Sequence, residues 1–298
     1  MRGRAERGAA VVVAMLVVAV TATLVTGVYW RQNVIVRQAE NELSYAQAKW
    51  LIRGAIDWAS VILREDARTS SVDHLGEPWA VPLAETRLNQ DDGRDPVYLF
   101  GEIRDEQAKF NLRNLAGPQG VNMRELAVLR RLLALVGAGE WLADPVAARM
   151  LAAVPGESGR KQTALGLASI DDLLGLEGVG AVAVERLRPF VTVLPQPTPV
   201  NANTAPAEVL AARFENLSLA DARRLVASRD RAYFKDRTDV LNRVGQLGLQ
   251  ASDAEVAVAT QFFSVNGTVT YRRARLHAQA LLRREANRVE PVWLLESA

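Results

Sequence analysis

The chain has 298 residues, a length that suits two domains or one domain carrying an insertion. Hydrophobic residues make up 49% and charged residues 23%, so the chain can bury a sizeable core and is not of disordered composition. The absence of cysteine excludes disulfides, thiolate metal sites and cysteine nucleophiles; two histidines, His74 and His277, are too few for a histidine-rich metal site, and a net charge of +2 gives no electrostatic case for nucleic-acid binding.

In chain order, the first signal is a run without charge from Gly8 to Trp30. Twenty residues at ~1.5 Å rise span a hydrocarbon core of roughly 30 Å, and Ala9 to Val28 alone is that long. Arg2, Arg4 and Arg7 precede the run, which keeps the start cytoplasmic and sends the rest across in a single pass. Three readings compete. A cleaved secretory signal has a shorter apolar region of roughly 7–15 residues. A plain membrane anchor needs nothing more than the run. The third rests on Arg7-Gly8-Ala9, a basic leader ending in Gly, which resembles the site where type IV prepilins are cut.

The apolar run continues into a stripe at Ile35, Ala39, Leu43, Ala46, Trp50, Gly54, Trp58 and Val61, with steps of three and four. The first proline is Pro78. One helix from Ala9 to near Asp66 is therefore expected, its stripe resting on a sheet; the alternative is a membrane helix and a separate soluble one.

Pro78, Pro82 and Pro96 then break the chain. Val97 to Arg104 reads as a strand, Asp105-Glu106 as a tight turn, and Ala108 to Leu112 as a returning strand. Between the prolines, Asn89 to Asp95 is an acidic loop whose Asp91, Asp92 and Asp95 offer hard oxygen ligands for calcium. The spacing is not that of an EF-hand and Arg94 opposes it, so an acidic surface turn is the competing reading. Residues 118–254 read as helices, with signals at Met123–Val136, at Pro145 before Val146–Val154, at Ser169-Ile170-Asp171-Asp172, and over 206–214, 219–228 and 239–245. The last 44 residues read as β: Gln261 to Val265, an Asn266-Gly267 hairpin turn, Thr268 to about Leu282, and an edge strand at Val292–Leu295. Strands on both sides of a helical region argue for insertion, giving an α+β chain. Its expected divisions are a leader (1–8), a transmembrane part (9–30), a first body segment (31–117), an inserted all-α domain (118–254) and the C-terminal strands (255–298).

Within the helical region, Leu176-Glu177-Gly178-Val179-Gly180-Ala181 resembles a helix-hairpin-helix (SAM-like) element, whose backbone amides can meet a DNA phosphate. Asn201-Ala202-Asn203-Thr204-Ala205-Pro206 resembles the start of a second unit, but Phe214-Glu215-Asn216-Leu217 stands where its glycine pair belongs. With so balanced a charge, the glycines read as a tight turn and the Asn and Thr side chains as helix caps, and a membrane-anchored DNA receptor is the rival class. No hydrolase elbow, phosphate loop or metal-spaced His pair is present.

Together these pieces resemble the K-type minor pseudopilins of the bacterial type II secretion system. The likeness rests on Arg7-Gly8-Ala9, Gln47-Ala48-Lys49-Trp50 with Gly54-Ala55, Leu75-Gly76-Glu77-Pro78-Trp79, Gly101 to Asp105, Phe110-Asn111-Leu112 and Pro199 to Pro206. It implies a pilin-like long helix on an antiparallel sheet with a helical insertion, and no enzymatic activity. It implies processing by prepilin peptidase between Gly8 and Ala9, with methylation of the new amine. Assembly would run through Val13, Ile35, Leu43, Trp50 and Trp58. The implied partners are the I-, J- and H-type minor pseudopilins and the inner-membrane secretion platform. The implied place is the inner membrane, with the body in the periplasm, and nucleic acid is not expected. Most pseudopilins carry Glu five residues after the cut, where this chain has Val13; the K type is the exception, thought to cap the filament tip. Relatives often carry a Cys pair at places that match Lys109 and Thr192, and some bind calcium.

Overall fold

The computed structural model describes residues 3–89, 95–156, 161–249, 255–286 and 288–297, with residues 3–9 as backbone alone. Helix α1 runs unbroken from Gly3 to Thr69, ~100 Å at 1.5 Å per residue. No proline interrupts it, and the hydroxyls of Thr21, Thr23 and Thr26 donate back to the carbonyls of Val17, Val20 and Ala22 at 2.7–2.8 Å, so these hydroxyls are satisfied within the helix. Two strands follow, β1 (Leu83–Arg87) and β2 (Val97–Asp105). Next come the short strands β3 (Phe110–Asn111), β4 (Ala116–Gly117) and β5 (Gly120–Val121), then helices α2 (Met123–Val136), α3 (Ala143–Ala152) and α4 (Ala181–Leu187). Strands β6 (Val191–Thr192) and β7 (Val200–Asn201) precede helices α5 (Ala207–Arg213), α6 (Leu219–Arg231) and α7 (Arg237–Gly245). The chain ends in β8 (Val256–Ala257), β9 (Phe262–Tyr271), β10 (Ala274–Glu285) and β11 (Arg288–Ser297).

The main sheet has the order β1-β2-β9-β10-β11, antiparallel throughout. The chain leaves it after β2 and returns at β9, which pairs with β2 from Val97↔Tyr271 to Asp105↔Phe263. Most of the buried apolar residues described between them form a second core, while Leu194 packs on Phe262 and Leu281. The sheet core is made by Ala48, Ile52, Ile56, Ala59 and Leu63 of α1 against Leu99, Phe263, Val265, Val269, Leu276 and Leu282, closed at one end by Trp79. The helical core gathers Leu129, Leu132 and Leu133 of α2, Val146 and Met150 of α3, and Leu210, Phe214, Leu225, Phe234 and Val240. Helix α2 shows how local signals set an element: the Asn122 side chain accepts from the amides of Arg124 and Glu125 at its start, and Gly137 stops it with φ 67°.

Two sequence expectations fail here for a physical reason. Asn266-Gly267 is not a turn: β9 runs through it, and the hairpin turns at Arg272-Arg273, where Arg272 takes φ 54°. Gly267 faces α1, and a Cβ there would stand 3.0 Å from Ile52 Cδ1, so the glycine serves close approach of the helix rather than chain reversal. The strand read at Ala108–Leu112 is reduced to β3 (Phe110–Asn111) and does not return along β2. Asp105 instead accepts from the Gln107 amide at 2.7 Å, starts a short 3₁₀ turn over Glu106–Ala108, and sends the chain to pair in parallel with β6. The helical region likewise contains short strand pairs that its periodicity did not announce.

The two cores meet at a buried polar seam. Asp105 Oδ2 accepts from Asn201 Nδ2 at 2.8 Å and from Thr204 Oγ1 at 2.6 Å. Asn201 also donates to the Asp73 carbonyl at 3.1 Å, while Asn203 exchanges two hydrogen bonds with the backbone of Phe234. These Asn and Thr side chains are therefore ties between elements and not caps of α5, whose preceding residue is Pro206 with no side-chain cap. Arg284 of β10 donates to Asp66 at 2.8 Å and to Asp73 at 2.6 Å, clamping the end of α1 to the sheet. Burial pushes the Asp105 carboxyl up to about 6 against its hydrogen bonds. Burial, with the charges of Glu77 and Asp73, lifts Asp66 to about 6 despite Arg284.

A carboxyl raised in the folded state binds a proton that the unfolded chain has released, so its stabilising contribution is present at low pH and is lost as pH rises through about 6. The melting midpoint, followed by tryptophan fluorescence, should fall less between pH 4.5 and 7.5 in Asp105→Asn than in the parent; equal falls would refute the assignment. Gly267→Val should lower stability by about 1–3 kcal/mol through the clash with Ile52, read as an earlier melt.

Candidate assembly face

Helix α1 carries two apolar rows. At about 100° per residue, the row through Ala48, Ile52, Ala59 and Leu63 and the row through Leu43, Ala46, Trp50, Gly54, Trp58 and Val61 are centred roughly 170° apart. The first row is buried on the sheet. The second, expected to rest there, faces away: Leu43 is 63% exposed, Trp50 74% and Trp58 51%. Ile35 and Val13 are exposed as well, on a stretch from residue 10 to residue 43 that touches no other part of the chain closely enough to be covered. Helix α1 is also the one helix among the described residues long and apolar enough to cross a membrane. The open row has the composition of a packed face and no cover within the chain. It can bury against another helix but has no chemistry of its own.

The remaining candidates have internal roles. Asp66, Asp73 and Glu77 bring carboxylate oxygens within 4.8 Å of one another, a spacing that could hold a cation. Each already has an internal partner: Arg284 serves Asp66 and Asp73, the Thr260 amide donates to Asp73 at 2.7 Å, and Glu77 accepts from Trp79 Nε1 at 2.8 Å and from the His74 amide at 2.9 Å. Of the acidic loop, Asp91 and Asp92 lie outside the described residues. Asp95 is half-exposed and paired with Arg272 Nε at 2.5 Å.

At the first hairpin, Gly178 takes φ 80°, and a side chain there would meet the Trp141 ring at 3.4 Å. The half-exposed Trp141 thus packs against this turn. In the second, Asn216 supplies the left-handed residue with φ 63°. Lys109 and Thr192 are joined through a third side chain: Glu106 accepts from Lys109 Nζ at 2.9 Å and from Thr192 Oγ1 at 2.7 Å. Burial pushes the Glu106 carboxyl up, but the Lys109 charge and these hydrogen bonds outweigh it and hold it below the usual range.

Comparison with known proteins agrees with this layout. Two family models, both described as type II secretion system (T2SS), protein K, match residues 108–196 and 200–261. The type II secretion system protein K of Pseudomonas aeruginosa is 32% identical over 290 residues, covering 90% of this chain and 85% of that protein. The chain belongs to the protein K family of the type II secretion system. The Klebsiella pneumoniae protein of the same name is 28% identical, covering 94% of this chain and 93% of that one. A chain of the GspK-GspI-GspJ complex from enterotoxigenic Escherichia coli shares the fold, with a TM-score of 0.68 at 20% identity, over 88% of this chain and 99% of that one. Membership makes this protein a minor pseudopilin, with the α+β fold of a long helix on an antiparallel sheet. The polar seam was not found from sequence. The Asn201–Thr204 run was its visible signal, but local spacing does not reveal partners such as Asp105 and Asp73, which lie about a hundred residues away.

Proposed function

We propose that this minor pseudopilin is held in the bacterial inner membrane by residues 9–30, is cut by prepilin peptidase between Gly8 and Ala9, and keeps its body in the periplasm. There it caps the tip of the pseudopilus by packing the open row of α1 against the I- and J-type minor pseudopilins, with the H type below. The tip supports export of folded proteins across the outer membrane. The observation that carries the reading is the uncovered row through Leu43, Trp50 and Trp58, opposite the row buried on the sheet. A solved complex of a relative of the same fold contains GspI and GspJ, which supports those two partners. Val13 supports the tip position: a carboxylate in an apolar filament core is costly unless it neutralises the amine of a subunit above, and a cap has none above it. The helical domain, residues 118–254, widens the tip.

Two measurements test this. Amino-terminal sequencing of the mature protein should start at Ala9, and Gly8→Ala should retain the leader; a mature chain starting elsewhere would sink the processing claim. Trp50→Asp, at an exposed position, should change stability by no more than about 0.5 kcal/mol. It should nonetheless cut recovery of co-expressed I- and J-type subunits at least tenfold. Undiminished recovery would remove the row from the interface.

A further inference from the structure

The open row of α1 has two unlike flanks. Toward β11, Lys49 and Arg53 are tied to Glu296 at 2.7 and 3.1 Å, so that flank is charged and already engaged. Toward β1, α1 and the sheet enclose an apolar groove of about 300 Å³, walled by Ala55, Trp58, Ile62, Val81 and Leu83 and floored at Gly101. Trp58 belongs to both the open row and the groove, so the two surfaces are continuous. Gly101 pairs with Gly267 across the strands, and a Cβ on it would meet nothing nearer than the Asn266 carbonyl oxygen at 3.7 Å. The groove is open because its floor lacks side chains.

Area decides whether the row suffices alone. Leu43 to Val61 spans ~27 Å, and a helix ~10 Å across gives roughly 270 Å² of contact at the level of the body. A stable interface takes about 800 Å² per partner. At the level of the body the row alone supplies about a third of that, so a subunit resting there gains contact by spreading onto a flank; the flank toward β11 is taken up by the Lys49 and Arg53 pairs with Glu296, which leaves the groove.

We infer that this groove is a socket for one large apolar side chain, aromatic or branched aliphatic, carried by the neighbouring minor pseudopilin, and that its filling fixes the stagger between the two subunits. The inference rests on the assembly reading above. The test uses the full chain co-expressed with its I- and J-type subunits and purified in detergent. Gly101→Leu fills the socket from within. Its melt should match or exceed the parent, while recovery of the two subunits should fall about tenfold or more, as expected for losing burial of one such side chain. If Gly101→Leu melts early, Val81→Asp places a charge at the exposed rim and should give the same loss with an unchanged melt. Loss in Trp50→Asp with full recovery in the socket variants would overturn the socket and leave the assembly reading standing. Full recovery in all of them would overturn both. Recovery of a second, differently tagged copy of this chain in place of those subunits would also overturn the assignment.

Discussion

The main cover of the sheet is α1; on the opposite face Phe262 and Leu281 are buried against Leu194. Ile52, Ile56 and Leu63 are buried between helix and strands, and each such side chain contributes about 1.5–3 kcal/mol. Summed, they are comparable to the whole net stability of an ordinary domain, about 5–15 kcal/mol. The β-layer therefore has no independent existence, and the membrane rod and the body are one mechanical unit. The same helix turns a second apolar row outward. A rod buried all round would leave nothing for a neighbour, and one polar on its outer side would not stack. The division between two rows makes α1 at once a core element and an uncovered apolar surface.

Joining the helical core to this unit falls to the polar seam. Asp66, Asp73 and Asp105 are buried near one another with Arg284 as the cation donating to Asp66 and Asp73. Neutral partners, Asn201 and Thr204, satisfy Asp105. An apolar joint of similar size would be as strong and less directional; the hydrogen bonds of Asn201 and Thr204 to Asp105, and of Asn201 to the Asp73 carbonyl, fix one orientation of the helical core on the sheet. At the Lys109–Glu106–Thr192 tie, an ion pair and a hydroxyl hold β3 to β6, so that contact is made without an oxidant.

Much of the long helix was legible in the sequence, because a charge-free run and the absence of proline before Pro78 act locally. Which row met the sheet was not legible. Both rows repeat every three or four residues, and periodicity shows that a face is apolar without saying what covers it. Gly267 shows the opposite limit. Asn-Gly is a strong turn signal, yet the need for a small residue beneath Ile52, some 215 positions earlier in the chain, decides its conformation. The caps read at Asn201 and Thr204 fail similarly, since their partners are set by how β2 and α1 end. Local signals held where no contact from elsewhere in the chain overrode them.

Strands β2 and β9 lie side by side, yet residues 106–261 separate them along the chain. Closing so long a loop before any pairing rewards it is slow. In the export proposed above, the amino end stays behind and the greasy rod lodges in the bilayer, with two strands waiting, before their companions emerge. The helical core can form meanwhile and bring Asp105 and Phe262 together, serving as the jig on which the final seam is drawn shut. Loss of the last three strands would then leave a membrane-tethered chain with a finished helical core, an unfinished sheet and both rows of its rod laid bare.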